Sequence, residues 1–206
     1  MVRIRGVVLD VGETLVDESR AWTQQAERVG VTPFTLMGML GALIERGEDH
    51  RQVWTILGVD APPEPMEIVA ADLYPDALDC VQMLRGAELL VGIAGNQPLG
   101  VEKQLESAGL SADFIASSDA WGVVKPSAEF FSRVVRAAQL EPSAILYVGD
   151  RLDNDVLPAR RAGMRTALIR RGPWGHIHAR RPEAELADLR VDSLTELASV
   201  VVGIQP

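Results

Sequence analysis

Gly6-Val7-Val8-Leu9-Asp10-Val11-Gly12-Glu13-Thr14-Leu15 carries most of what this chain says about its architecture. An apolar run that stops on a carboxylate, followed by glycine and a hydroxyl, predicts a buried strand delivering a reactive group to a loop. Far downstream, Ile145-Leu146-Tyr147-Val148 ends in the same way, on Gly149-Asp150. Two strands that each present an aspartate at the carboxyl edge of one sheet can hold a cation between them. Magnesium takes hard oxygen ligands and needs few protein carboxylates. The pair therefore points to metal-assisted phosphoryl transfer with Mg2+ as cofactor.

Beyond Leu15 the pattern turns helical. Segments 19–29, 34–46 and 49–57 run up to Gly30, Gly47 and Gly58, and glycine just past a helix is a common cap. The Pro-rich link Ala61-Pro62-Pro63-Glu64-Pro65 follows, and no strand signal occurs between residues 17 and 74. From residue 75 strands and helices alternate. Pro75 is expected in the first turn of a helix closing at Gly86. Strands are expected at 89–93, 114–116, 144–148, 166–169 and 189–191. Helices are expected at 98–108, 127–139, 153–162 and 193–202, with a long loop after residue 169. Alternation of this kind implies an α/β fold, a Rossmann-like parallel sheet with helices on both faces. The core would be residues 1–16 and 75–206, and residues 17–74 an inserted, all-helical cap. Ligands of such sheets bind beyond the strand carboxyl ends, where Asp10, Asn96 and Asp150 fall.

Composition narrows the setting. The 206 residues suit one domain, or one domain with an insertion. With 47% hydrophobic and 24% charged residues, the chain can bury a core without staples. Cys80 is the single cysteine, so no internal disulfide forms, which fits a reducing cytosol. Arg3 and Arg5 precede an apolar run too short for a signal peptide, and no stretch could span a bilayer. A net charge of −9 argues against nucleic acid. The expectation is a cytoplasmic protein acting on a small molecule, with no nucleic-acid or membrane partner, as a monomer or homodimer.

Four motifs occur in order: Asp10 to Leu15; Gly92-Ile93-Ala94-Gly95-Asn96; Lys125-Pro126; and Gly149-Asp150 through Asp155, followed by Ala162-Gly163. Together they resemble the haloacid dehalogenase superfamily of hydrolases, mostly phosphatases, over nearly the whole chain. The resemblance implies that Asp10 attacks phosphorus and forms an aspartyl-phosphate. It implies that Lys125 neutralises charge on the phosphoryl group and on Asp10. Magnesium would be bound by Asp10, Asp150 and the carbonyl of Gly12, with Asp155, and Asp153 as a weaker candidate, steadying the metal shell. Thr14, Gly95 and Asn96 would border the phosphoryl group. The logic is physical: a carboxylate attacking a phosphate dianion meets repulsion that only cations offset.

Two positions depart from the pattern. Phosphatases of the superfamily carry a second Asp two residues after the nucleophile, as general acid and base; here that position is Gly12. Gly95 stands where Ser or Thr would bind the phosphoryl oxygen, leaving the backbone N–H groups of Gly95 and Asn96 for that task. Glu13 is the nearest spare carboxylate, but strand alternation aims it away from Asp10. An Asp placed at position 12 would point to Asp10's side.

Several residues have a plainer reading beside the functional one. Thr14 reads equally as a local turn contact, and Asn96 equally as a turn residue. Asp153 fits the acidic first turn of a helix. His50, Arg51 and Trp54 read first as cap helix surface, and Trp22 as cap core. His176 and His178 read as a solvated or subunit-contact loop, with no third metal ligand evident. Two other functions remain open. One is a 2-haloacid dehalogenase, in which Asp10 attacks carbon and neither acid nor magnesium is needed. The other is a weakly catalytic module that binds phosphate and metal. Phosphonate hydrolysis, which in the superfamily uses a cap lysine, is set aside because the cap has none.

Overall fold

Alternate residues of the first strand, β1 (Gly6–Leu9), serve opposite faces: Val7 and Leu9 enter one apolar cluster and Val8 another. The computed structural model describes residues 3–60, 64 and 66–203. In it β1, β2 (Leu90–Gly95), β3 (Phe114–Ser117), β4 (Ile145–Gly149), β5 (Arg165–Ile169) and β6 (Leu189–Val191) form one sheet in the order β3-β2-β1-β4-β5-β6. Every ladder is parallel. A parallel sheet needs cover on both faces, which explains why the strands read as continuous apolar runs.

After β1 the chain leaves the sheet for α1 (Ser19–Arg28), α2 (Pro33–Arg46) and α3 (Gln52–Ile56). α2 starts where Thr32 accepts the N–H of Thr35 and Pro33 occupies the first turn, where its missing N–H costs nothing. These helices enclose an apolar cluster of their own, Ala26, Leu36, Leu43, Val53 and Trp54. The outgoing and returning segments meet in a short ribbon: Asp17 N–H donates to the Asp72 carbonyl (2.8 Å) and Tyr74 N–H to that of Leu15 (2.9 Å). The proline cluster at 61–63 and 65 lies outside the described residues.

The chain then alternates through α4 (Ala77–Gly86), α5 (Val101–Ser107), α6 (Ser118–Trp121), α7 (Ala128–Ala138), α8 (Leu157–Arg161), α9 (Gly172–His178) and α10 (Leu194–Gly203). Helices α4, α5 and α10 cover the face of Val7 and Leu9. Helix α7 presents Phe130, Phe131 and Val134 to the face of Val8 and Tyr147, where Ala159 of α8 joins them. No helix among the described residues is long and apolar enough to cross a membrane.

Three sequence expectations are corrected here. Pro75 stands outside α4, which begins at Ala77 behind Asp76. Residues 153–162 are not one α-helix: Leu152–Val156 make a wide π turn, with the Val156 N–H reaching the Arg151 carbonyl, before α8 starts. Pro158, which has no N–H to give, sits in the first turn of α8. The loop expected after β5 is instead α9, because Trp174 and His178 have buried places to fill.

Candidate active site

β1 lies between β2 and β4, with Leu9 level with Ile93 and Val148, so the residues following β1 and β4 emerge side by side. The Asp10 N–H extends the ladder to the Val148 carbonyl (2.9 Å). Asp10, Asp150 and Asp155 each offer a carboxylate oxygen, and these atoms lie within 4.8 Å of one another. The π turn brings Asp155 back to the sheet edge, where its Oδ2 accepts the Arg151 N–H (3.0 Å). Lys125, from the loop between α6 and α7, reaches in with Nζ 2.8 Å from Asp10 Oδ1 and 2.6 Å from Asp155 Oδ1. Beneath it lies the ring of Tyr147, 5.7 Å from Nζ, whose hydroxyl donates to the Ala94 carbonyl (2.8 Å).

Asn96 fixes this lysine. Its Oδ1 accepts the Lys125 N–H (2.7 Å) and its Nδ2 donates to the Lys125 carbonyl (3.1 Å). The side chain is thus occupied with the lysine loop, leaving only its backbone for an anion. Gly95 is explained by contact: a Cβ there would overlap Oδ1 of Asp10. A hydroxyl-bearing residue at position 95 and this placement of the Asp10 carboxylate would compete for one space.

Three buried carboxylates face a single ammonium here. Burial, then Asp155 and Asp10, push Asp150 well above the ordinary carboxylate range. Burial raises Asp155 to about 6 against the pull of Lys125. Burial alone would lower Lys125, but Asp10 and Asp155 overcome it and hold the ammonium well above its usual range. The surplus of hard, negatively charged oxygens at close range fits a divalent cation such as Mg2+.

Thr14 lies in the turn that follows β1. The Val11–Val16 turn folds it inward, solvent does not reach it, and its Oγ1 has no partner among the described residues. Glu13 takes a left-handed backbone (φ 50°), and its carboxylate accepts the Tyr74 hydroxyl (2.6 Å) and the Glu18 N–H (3.1 Å). Burial raises its pKa, and the Tyr74 hydrogen bond opposes the rise.

Glu18 was not singled out from sequence. Its carboxyl lies against Gly12: a Cβ on Gly12 would overlap Oε1 and come 2.9 Å from Cδ. The other oxygen accepts the Trp22 indole N–H (3.2 Å). Burial, then Glu13 and, more weakly, Asp10, push its pKa up to about 7. An Asp at position 12 would thus enter occupied space. The only sequence signal was an acid at the start of the first helix after the motif.

The remaining candidates stand apart. Asp153 pairs with Arg151 (2.6 Å) and is more than half exposed. Trp54 is not on a helix surface as expected but buried in the apolar cluster of α1–α3 with Trp22 beside it, their rings stacked at 6.3 Å. Arg51 is exposed and pairs with Asp49 (2.8 Å). The rings of His50 and Trp174 stand nearly perpendicular, their centroids 5.1 Å apart. His176 is exposed, while His178 is buried and its Nδ1 accepts the Leu152 N–H (3.0 Å), so the two do not form a metal pair.

The chain is similar to several known proteins. A family model described as HAD-hydrolase-like matches residues 123–197, the span that holds Lys125, Asp150 and Asp155. The glyceraldehyde 3-phosphate phosphatase of Methanopyrus kandleri is 29% identical, over 96% of this chain and 97% of its own. The phosphoglycolate phosphatase of Cereibacter sphaeroides is 31% identical, over 81% of this chain and 85% of its own. Among solved structures, the L-2-haloacid dehalogenase of Xanthobacter autotrophicus has a TM-score of 0.72 at 21% identity, covering 98% of this chain and 99% of its own, which is a likeness of fold.

Proposed function

The chain belongs to the haloacid dehalogenase-like hydrolases, and we propose that it is a magnesium-dependent phosphatase of a small organophosphate, working through an aspartyl-phosphate on Asp10. One observation carries this reading. The Asp10 carboxylate meets the Lys125 ammonium at 2.8 Å, within the same cluster of oxygens that Asp150 and Asp155 complete.

In this reading Asp10 attacks phosphorus from the sheet edge. Lys125, already paired with Asp10, stays charged and offsets the negative charge that gathers on the phosphoryl oxygens. Asp155 and Asn96 hold Lys125 in place from its two ends, so the charge needs little reorganisation. Magnesium, held by Asp10, Asp150, Asp155 and the carbonyl of Gly12, would supply the further positive charge that a phosphate dianion requires. The backbone N–H groups of Gly95 and Asn96 remain the candidates for the phosphoryl oxygens. Residues 17–74 act as a cap whose closure over Asp10 excludes water. Their separate apolar cluster and the ribbon at Leu15–Asp17 and Asp72–Tyr74 support that role.

A dehalogenase has no use for the cation, so the intact Asp150 and Asp155 favour phosphate over a 2-halo acid. The test is turnover of the purified protein on sugar, glycolyl and aryl phosphates and on 2-chloropropionate, each with Mg2+ and with EDTA. Phosphate release that EDTA abolishes is the expected result. Chloride release that survives EDTA would reverse the assignment.

A further inference from the structure

Expulsion of an alkoxide from phosphorus needs a proton, and hydrolysis of the resulting acyl phosphate needs a base to take one from water. Most polar groups around Asp10 are committed elsewhere. Lys125 is shared between two carboxylates, Asp155 is tied to Lys125 and to the Arg151 N–H, and Glu13 is tied to Tyr74 and to the Glu18 N–H. Gly12 has no side chain. Glu18 differs from them. It is half-buried, forms no ion pair among the described residues, and has one oxygen held by Trp22. Its other oxygen lies where a side chain on Gly12 would begin. Position 12 is two residues beyond Asp10, so a side chain there would share Asp10's side of the strand end.

Resting on the phosphatase reading, we propose that Glu18 is the general acid and base of this site, its carboxyl filling from the head of α1 the space that Gly12 leaves. In the first step Asp10 Oδ bonds to phosphorus and the bond from phosphorus to the ester oxygen breaks. The Glu18 proton passes to that oxygen, giving the free alcohol, the aspartyl-phosphate and a Glu18 carboxylate. In the second, water attacks phosphorus and gives its proton to Glu18. The bond from phosphorus to Asp10 breaks with its electron pair returning to Asp10, and inorganic phosphate leaves. Gly12 and Glu18 are then a matched pair, because a side chain at 12 would expel the carboxyl.

Glu18→Gln tests this, since the amide oxygen still accepts the Trp22 N–H but the group exchanges no proton. The probes are phenyl phosphate, a poor leaving group, and 2,4-dinitrophenyl phosphate, which leaves unprotonated. The expected result on phenyl phosphate is a ~10²–10⁴-fold fall in kcat. On the dinitrophenyl ester the variant should release about one equivalent of phenolate in a burst and then turn over slowly, because the acyl phosphate waits for its base. Gly12→Asp combined with Glu18→Ala should recover turnover of phenyl phosphate. Glu18→Gln acting at the wild-type rate on both esters overturns the assignment. Loss of both esters without a burst, and without recovery in the double variant, also overturns it and makes Glu18 a support for Trp22. A wild type inert on both esters in Mg2+ instead removes the phosphatase reading, and this assignment with it.

Discussion

Lys125 stands between Asp10 and Asp155 with its side chain almost wholly buried, and Asp150 adds a third carboxylate to the cluster. Removing one partner of a buried charge cluster leaves the others without compensation, at a cost of roughly 3–5 kcal/mol. Lys125→Met is therefore expected to lose about that much in guanidinium unfolding without metal. Asp10→Asn, which keeps the shape and removes a negative charge, should stay folded and lose turnover. A Lys125→Met protein as stable as wild type would show that the carboxylates do not depend on it. His178 offers a separate test. Burial pushes its imidazole down to about 4, and its Nδ1 must stay unprotonated to accept the Leu152 N–H. The unfolded chain protonates this histidine near pH 6.5, so between about 6.5 and 4 it binds the proton that the folded chain refuses. The stabilisation is full above that window and disappears as pH falls through it, to a limit of roughly 3 kcal/mol. Urea unfolding across the window should be steeper in pH for wild type than for His178→Asn, and equal slopes would remove the claim.

Helix α9 packs against α2. Trp174 packs on Leu40 and Ile44 of α2, meets the His50 ring at nearly a right angle, and carries the Arg151 guanidinium 4.8 Å above its ring. Arg181, just beyond α9, donates to the Ile44 carbonyl (2.6 Å) at the end of α2. Trp174→Ala should therefore act on the seating of α2 before it acts on the sheet. Amide exchange is expected to quicken along α2 while β1 and β4 keep their protection. Uniform quickening through the sheet would instead make Trp174 an ordinary core residue. This helix was not legible in the sequence, because Arg170-Arg171-Gly172-Pro173 reads as a chain break. Its helical state depends on apolar places in α2 and near Leu152 that only the folded chain provides. Helix α2 was legible, since Gly47 marks its end by local chemistry alone.

For the whole molecule the division runs the same way. The parallel sheet could be read from strands alternating with helices and from apolar runs that end on Asp10 and Asp150, whereas the order of its strands came only from the folded chain. The fit of Glu18 against Gly12 could not, because it joins a helix start to a strand end through contact in space. The sheet and its metal-ready edge together make a prediction about stability. Three carboxylates are buried at the carboxyl edge, and without a cation they oppose folding through desolvation and mutual repulsion. Asp150→Asn keeps the shape and removes one of them. In EDTA the variant should thus melt no lower than wild type. In Mg2+ at about 100 times its dissociation constant, wild type gains roughly 2.7 kcal/mol by linkage. For a chain of this length that is a rise in Tm of about 5–10 °C. Asp150→Asn, with a ligand lost, should rise far less, so the order of the two melting temperatures inverts between the two buffers. Calorimetric melting of both proteins in each buffer makes the measurement. A wild type that is the more stable in EDTA, or that ignores Mg2+, would mean that the carboxylates are balanced within the fold and are not built around a cation.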